Sequence, residues 1–315
     1  MLRGNIFVKF PQLTTSELIE RLAPPTRKVR LVLDTDTYNE IDDQFAVVHA
    51  LLSPDILSLE SIHAAPFFNS RSKSPADGME KSYQEILRLL TQLQVESNGL
   101  VYRGSTAYIN NIDNPEKSEA TDKLIKEAMI SDEDDPLYVV AIGAITNVAA
   151  AILLEPAIIE KIVVVWLGGH AHYWPNTSEF NLRQDINASK LIFDCGVPLI
   201  QIPCAGVADH LTTTVPEVER YIQGQGEIGN YLAEIFKNYH KDHFGWSKVI
   251  WDLSATAYVI NPNWISTHLT HSPILTDQFT WSVDTSRHMI RVARSVSRDK
   301  VFSDLFTKLK LDRLP

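Results

Sequence analysis

The chain has 315 residues, with 29 Lys and Arg against 39 Asp and Glu for a net charge of −10, so it carries no electrostatic footprint for nucleic acid or an anionic membrane surface. Its 44% hydrophobic and 22% charged content exclude a disordered chain and suit one large α/β domain or two small ones. The longest apolar stretch, Tyr138 to Leu154, is broken by Gly143 and by Thr146-Asn147; it falls short of the roughly 20 apolar residues of a span, and no membrane segment is expected.

Residues 1–28 read as an N-terminal appendage, with Pro11 to Pro25 forming a short capped helix that stops at Pro24-Pro25. The first ten residues have no apolar core or small-residue cleavage site of a secretory signal. Two cysteines, Cys195 and Cys204, cannot build a disulfide framework, which fits a reducing cytoplasm.

From Val29 the chain alternates short β-branched runs with longer amphipathic segments. The pairs are Val29–Leu33 with Ile41–Leu52, Leu57–Ala64 with Gly78–Leu93, and Leu137–Ile142 with Ile145–Leu154. Ile162–Leu167, a loop, Ala188–Phe193 and the strand Pro198–Ile202 continue the rhythm. This βαβ alternation predicts a doubly wound, mostly parallel α/β sheet with helices on both faces. Residues 216–244 read as helical, with Ile228, Leu232, Phe236 and Tyr239 as a packing stripe. Strand-like runs at Trp264–Leu275, Phe279–Val283 and His288–Val296 precede a closing helix, Lys300–Leu311. No linker divides residues 29–315, which are expected to form a single domain.

The segment leaving the first strand, Asp34-Thr35-Asp36-Thr37-Tyr38-Asn39-Glu40-Ile41-Asp42-Asp43, holds five carboxylates in ten residues. In a doubly wound sheet the loops after the strand carboxyl ends form the ligand crevice. Crowded carboxylates stay ionised when a cation sits among them, and an all-oxygen set favours Ca²⁺ or Mg²⁺ over zinc. The plain alternative is that Asp42 and Asp43 only cap the next helix, Gln44–Leu52, and that Asp34 only braces the loop.

Two families begin with a strand and Asp-x-Asp. Asp34-Thr35-Asp36-Thr37 partly satisfies the haloacid-dehalogenase-like phosphatase motif, which would make Asp34 a nucleophile. Those enzymes, however, place their further metal-binding acids much later than Asp42-Asp43. The nucleoside hydrolases instead carry Asp-x-Asp-Pro-Gly-x-Asp-Asp-Ala, and the chain resembles them at several further places. Ile142-Gly143-Ala144-Ile145-Thr146-Asn147 is similar to their Gly-Pro-Leu-Thr-Asn turn. Gly168-Gly169, Asn176, Ser178-Glu179-Phe180-Asn181 and Asp185 resemble their Gly-Gly…Asn…Glu-Phe-Asn…Asp segment. Trp251-Asp252 stands where they have a late His-Asp or Trp-Asp, and Val296 to Phe306 matches their closing strand and helix.

The resemblance implies hydrolysis of the N-glycosidic bond of ribonucleosides, Ca²⁺ as cofactor, and a homodimer or homotetramer. It implies that Asp36, Asp43 and Asp252 coordinate the ion through side chains and Ile142 through its carbonyl, with Asp36 also the general base. Asp42, Asn176, Glu179 and Asn181 would bind the ribose hydroxyls, where unpaired partners penalise analogues lacking a hydroxyl. Trp251 would stack on a purine, as in purine-preferring members, or else cover the sheet as a core residue. Two rival readings stand beside this one: the phosphatase using Asp34, and a non-catalytic sugar- or nucleoside-binding relative.

The chain departs from the family pattern in two places. Thr37 to Ile41 puts two extra residues in the first motif, so Asn39 and Glu40 either add a ligand or ribose contact or displace the helix start. Ala64-Ala65-Pro66-Phe67 replaces Val-Ala-Gly-Asn, losing a ribose contact unless Asn69 supplies it; Phe67 and Phe68 are stacking candidates better read as packing. His170 and His172 are an alternative acid or a weak metal signal, while His63 and His210 read as structural.

Overall fold

The computed structural model describes residues 10–132 and 135–311; the first nine residues of the N-terminal appendage lie outside them. In chain order the elements are α1 (Thr15–Arg21), β1 (Val29–Thr35), α2 (Asp43–Leu51), β2 (Leu57–Ala64), α3 (Pro75–Gln92), β3 (Val101–Arg103), α4 (Glu119–Met129), β4 (Leu137–Ala141), α5 (Thr146–Leu154) and β5 (Ile162–Leu167). There follow α6 (Phe180–Gln184), α7 (Ile186–Asp194), β6 (Leu199–Ile202), β7 (Thr212–Thr213), α8 (Val215–Tyr221), α9 (Gly226–Tyr239), β8 (Lys248–Val249), α10 (Leu253–Ile260), β9 (Ile265–His271), β10 (Ile274–Leu275), β11 (Trp281–Ser282), β12 (Met289–Val296) and α11 (Arg298–Leu311).

Eight strands form one sheet in the order β3-β2-β1-β4-β5-β6-β12-β9. All neighbours run parallel except the last pair, β12 and β9. β4 and β5 are buried along their whole length, as expected of parallel strands covered on both faces. Alternate residues of β1 face opposite layers. Leu31 and Leu33 join α2, α3, α9, α10 and α11, whereas Val32 joins α4, α5 and α7. The predicted doubly wound architecture is therefore the one observed.

The differences from the expected elements are local. The first crossover helix starts at Asp43 rather than Ile41 because residues 37–41 form a turn-rich loop. β3 and α4 fall in a stretch for which no element was predicted, and α4 opens on a reciprocal cap between Ser118 and Thr121. α1 also opens on a capping box, Thr14 with Glu17, and buries Leu18 and Leu22 in the core. Arg291 of β12 donates to the Leu22 carbonyl. The described part of the appendage is thus packed against the sheet. No helix among the described residues is long and apolar enough to cross a membrane.

Candidate active site

The carboxyl ends of β1, β4 and β5 converge on a cavity of about 650 Å³, whose walls include Asn39, Asp42, Ile142, Glu179, Asn181, Trp251 and Asp252. A larger cavity of about 870 Å³ lies between the 12–29 segment and the start of β4. It is at the wrong end of a parallel sheet for a crevice of this class.

Asp42, Asp43 and Asp252 place one carboxylate oxygen each within 4.8 Å of one another. They come from two helix starts far apart in sequence. Asp42 occupies the cap position of α2 and Asp252 that of α10, yet neither side chain makes a capping hydrogen bond. The capping explanation for Asp42 therefore fails, because its oxygen is spent elsewhere: it accepts from the Trp251 backbone N–H at 3.2 Å. Asp43 accepts from the Thr35 hydroxyl at 2.6 Å.

Asp36 is fully buried beside them. Its Oδ1 accepts from the Asn39 amide at 2.9 Å, and Oδ2 has no partner. Asp43 likewise keeps a buried oxygen, Oδ2, without one. Gly143 makes this approach of β4 to β1 possible, since a Cβ there would meet Asp36 Cγ at 2.9 Å. Ile142 reaches the cavity wall, and its carbonyl accepts from Asn181 Nδ2 at 3.0 Å, leaving a second lone pair.

Burial is the leading cause of every pKa shift in this group. Asp42 is pushed up to about 6 and Asp43 to about 8, with repulsion from neighbouring acids adding to the effect at Asp43 and opposed at Asp42 by Lys248. Asp36 and Asp252 are held well above the usual carboxylate range by burial and then by the other acids. Four carboxyl groups that depress one another's ionisation, with orphaned oxygens among them, are the donor set of a hard cation. The cluster fits a divalent ion.

Other residues singled out in the sequence surround this cluster. Asp34 is fully buried and accepts from Asn147 at 2.8 Å; burial raises its pKa to about 7. Its Oδ1 has no partner, and through Oδ2 it ties β1 to Asn147 of α5. Glu179 caps α6, accepting from the backbone of Asn181, Gly169 and Leu182. Asn176 is exposed in the 173–176 turn and lies outside the cavity wall. Asn69 donates to the Asn39 carbonyl, so it pins the inserted loop. Phe67 is core, Phe68 is 54% exposed, and His172 pairs with Gln201.

Sequence reasoning passed over the shell around the inserted loop. Both oxygens of Glu40 accept hydrogen bonds, one from Tyr239 and one from Lys248, which ties the inserted loop to α9 and β8. Arg71 donates to the Glu40 carbonyl at 2.8 Å and lies against the Tyr239 ring. Tyr239 ends the stripe read as pure packing, yet it lines the cavity, with its hydroxyl donating to Glu40. Single charged residues scattered along a chain give no signal for such a cluster.

A family model described as inosine-uridine preferring nucleoside hydrolase matches residues 31–303. The pyrimidine-specific ribonucleoside hydrolase RihA of Klebsiella pneumoniae (strain 342) is 26% identical over 228 residues, covering 64% of this chain and 70% of that protein. The pyrimidine-specific ribonucleoside hydrolase RihB of Shigella flexneri is 28% identical over 159 residues, 48% of this chain and 50% of its own. The match thus spans about half the length of the RihB relatives. Among solved structures, the purine-preferring ribonucleoside hydrolase from Gardnerella vaginalis has the same fold, with a TM-score of 0.73 at 21% identity over 90% of this chain and 98% of that one.

Proposed function

The chain belongs to the inosine-uridine preferring nucleoside hydrolase family, and from that premise we propose that it is a metal-dependent N-ribohydrolase that splits ribonucleosides into ribose and free base. The observation that carries this reading is the buried carboxylate cluster at the carboxyl end of the sheet, in which Asp42, Asp43 and Asp252 bring their oxygens together and Asp36 and Asp43 keep oxygens without a partner. In this reading Asp36, Asp43, Asp252 and the Ile142 carbonyl hold Ca²⁺, which supplies Lewis acidity to water and a grip on hydroxyl groups.

Asp36 accepts the proton of the attacking water at Oδ2, the oxygen left without a partner, while Asn39 fixes the carboxylate through Oδ1. Asp42 receives ribose hydroxyls at the oxygen that the Trp251 N–H leaves free. Asn181 orients the Ile142 carbonyl, and Glu179 holds the loop that brings Asn181 there. Asn39 gives one amide N–H to Asp36 and keeps its second N–H and its Oδ1 for ribose on the cavity wall. Asn176 joins the ribose contacts only if its exposed turn folds over bound substrate.

Base preference follows from Trp251, which packs against the core on one side and lines the cavity on the other. A stacked indole favours a purine leaving group. The names of RihA and RihB favour the second reading, a pyrimidine substrate. A cytoplasmic homodimer or homotetramer completes the proposal. The deciding assay is reducing-sugar release from purine and pyrimidine nucleosides in Ca²⁺ and after EDTA. Ribose release that chelation abolishes is expected; no release from any nucleoside, with Ca²⁺ bound, would replace the hydrolase with a binding protein.

A further inference from the structure

His170 is the one histidine on the cavity wall, and the catalytic reading leaves it without a task. Its backbone is pinned on both sides: the N–H donates to Thr177 Oγ1 at 2.9 Å, and the carbonyl accepts from Trp281 Nε1 at 3.1 Å. Its ring is pinned as well, because Nδ1 accepts from the Ala205 backbone N–H at 3.2 Å. The Trp174 ring stands 6.4 Å away, centroid to centroid.

That last hydrogen bond decides which proton the ring carries. A neutral imidazole has one donor and one acceptor nitrogen, so an acceptor Nδ1 makes Nε2 the donor. Protonating Nδ1 would set its proton against the Ala205 N–H, and burial also lowers the pKa, with Asp209 the acid that opposes this. Among the described residues no protein atom pairs with Nε2. The residue is therefore unsuited to deliver a proton as imidazolium and suited to offer a fixed N–H.

We propose that His170 is a specificity-determining residue whose Nε2–H donates a hydrogen bond to a lone-pair acceptor on the departing base, a carbonyl oxygen or an unprotonated ring nitrogen. The inference rests on the nucleosidase reading. The ribose must lie over the carboxylate cluster, so the base occupies the rest of the same cavity, whose walls there include His170, Phe180, Arg183, Tyr239 and Trp251. Negative charge builds on the base as the glycosidic bond breaks, so a donor there binds the transition state more tightly than the ground state.

Two isosteric variants separate the ring's two nitrogens. His170→Asn keeps an acceptor for the Ala205 N–H and removes the donor; His170→Gln keeps a donor near the Nε2 position. Each is compared with wild type on the nucleosides the enzyme cleaves and on p-nitrophenyl riboside, whose leaving group departs without a donor. The expected result is a roughly 10- to 100-fold loss of kcat/KM on nucleosides for His170→Asn, partial recovery in His170→Gln, and little change for either on p-nitrophenyl riboside. Unchanged nucleoside kinetics in His170→Asn, no recovery in His170→Gln, or equal losses on both substrate types would overturn the inference alone. A wild type that cleaves no riboside would instead overturn the function beneath it.

Discussion

Two loops at the same end of the sheet bury carboxylates and treat them in opposite ways. In the 168–185 loop, Glu179 receives three backbone N–H groups, and Asp185 receives those of Ile109 and Ala188 together with the Thr146 hydroxyl. In the 34–43 loop, joined by Asp252, the acids outnumber the donors: Asp36 and Asp43 each retain a buried oxygen with no partner, and two helix starts leave their carboxylates uncapped. Burial of an acid is thus no mark of a site. Several acids crowded at the strand ends with lone pairs left unmatched are, because buried polar atoms otherwise mostly find partners.

The contrast breaks most sharply on Asp36→Asn. A base removed without loss of shape is expected to cost about 10³-fold in kcat, with the thermal midpoint little changed; substantial turnover in the variant would return Asp36 to the structural group. Next comes the pair Glu179→Ala and Asp43→Ala. Glu179→Ala strands three buried N–H groups and should cost about 2–3 kcal/mol of stability in a denaturant titration, more than an exposed cap loses. Asp43→Ala should instead abolish Ca²⁺ binding in a calorimetric titration while the fold persists. If the two effects are exchanged, the assignment of the loops is reversed.

Acid–base linkage sharpens the same comparison. A carboxyl group whose pKa rises on folding binds more protons folded than unfolded, so stability falls as pH climbs toward that pKa. Asp43, at about 8, makes the metal-free protein less stable at pH 8 than at pH 6.5, and Ca²⁺ should reverse the slope. The buried histidines His49 and His63 have lowered pKa values, so their unfolded forms take up protons as pH falls toward 6.5 and oppose this slope. Thermal midpoints of EDTA-treated protein at both pH values, wild type against Asp43→Asn, test this, and the variant should lose the share of the difference that Asp43 contributes. The smallest expected effect is that of Trp251→Ala, about tenfold in kcat/KM and confined to purine substrates. Equal slowing of pyrimidines would remove the stacking role.

Much of the site was legible in the sequence because its parts are contiguous and sit where strands end. Asp34 to Asp43 follows a β-branched run, and the turn at Ile142 to Asn147 repeats the pattern one strand away. Gly143 is readable as a close approach only once Asp36 is known to lie beneath it. The spacing Asn…Glu-Phe-Asn identifies the segment but does not show that Glu179, a residue of the cavity wall, also caps α6. Asn176 belongs to the motif and faces solvent, since one-residue registers within a loop follow tertiary packing rather than sequence.

By itself the sequence determined the wound sheet, through hydrophobic runs whose period and length admit few alternatives, and it determined an acid-rich mouth at the end of the first strand. Tertiary structure decided which acids lack partners, which are consumed as caps, and how the two inserted residues are held. Lys248 reaches Glu40 across 208 positions, and Ala205 fixes the tautomer of His170 from 35 positions away. Such pairings depend on how distant elements pack, and a local pattern carries no record of them.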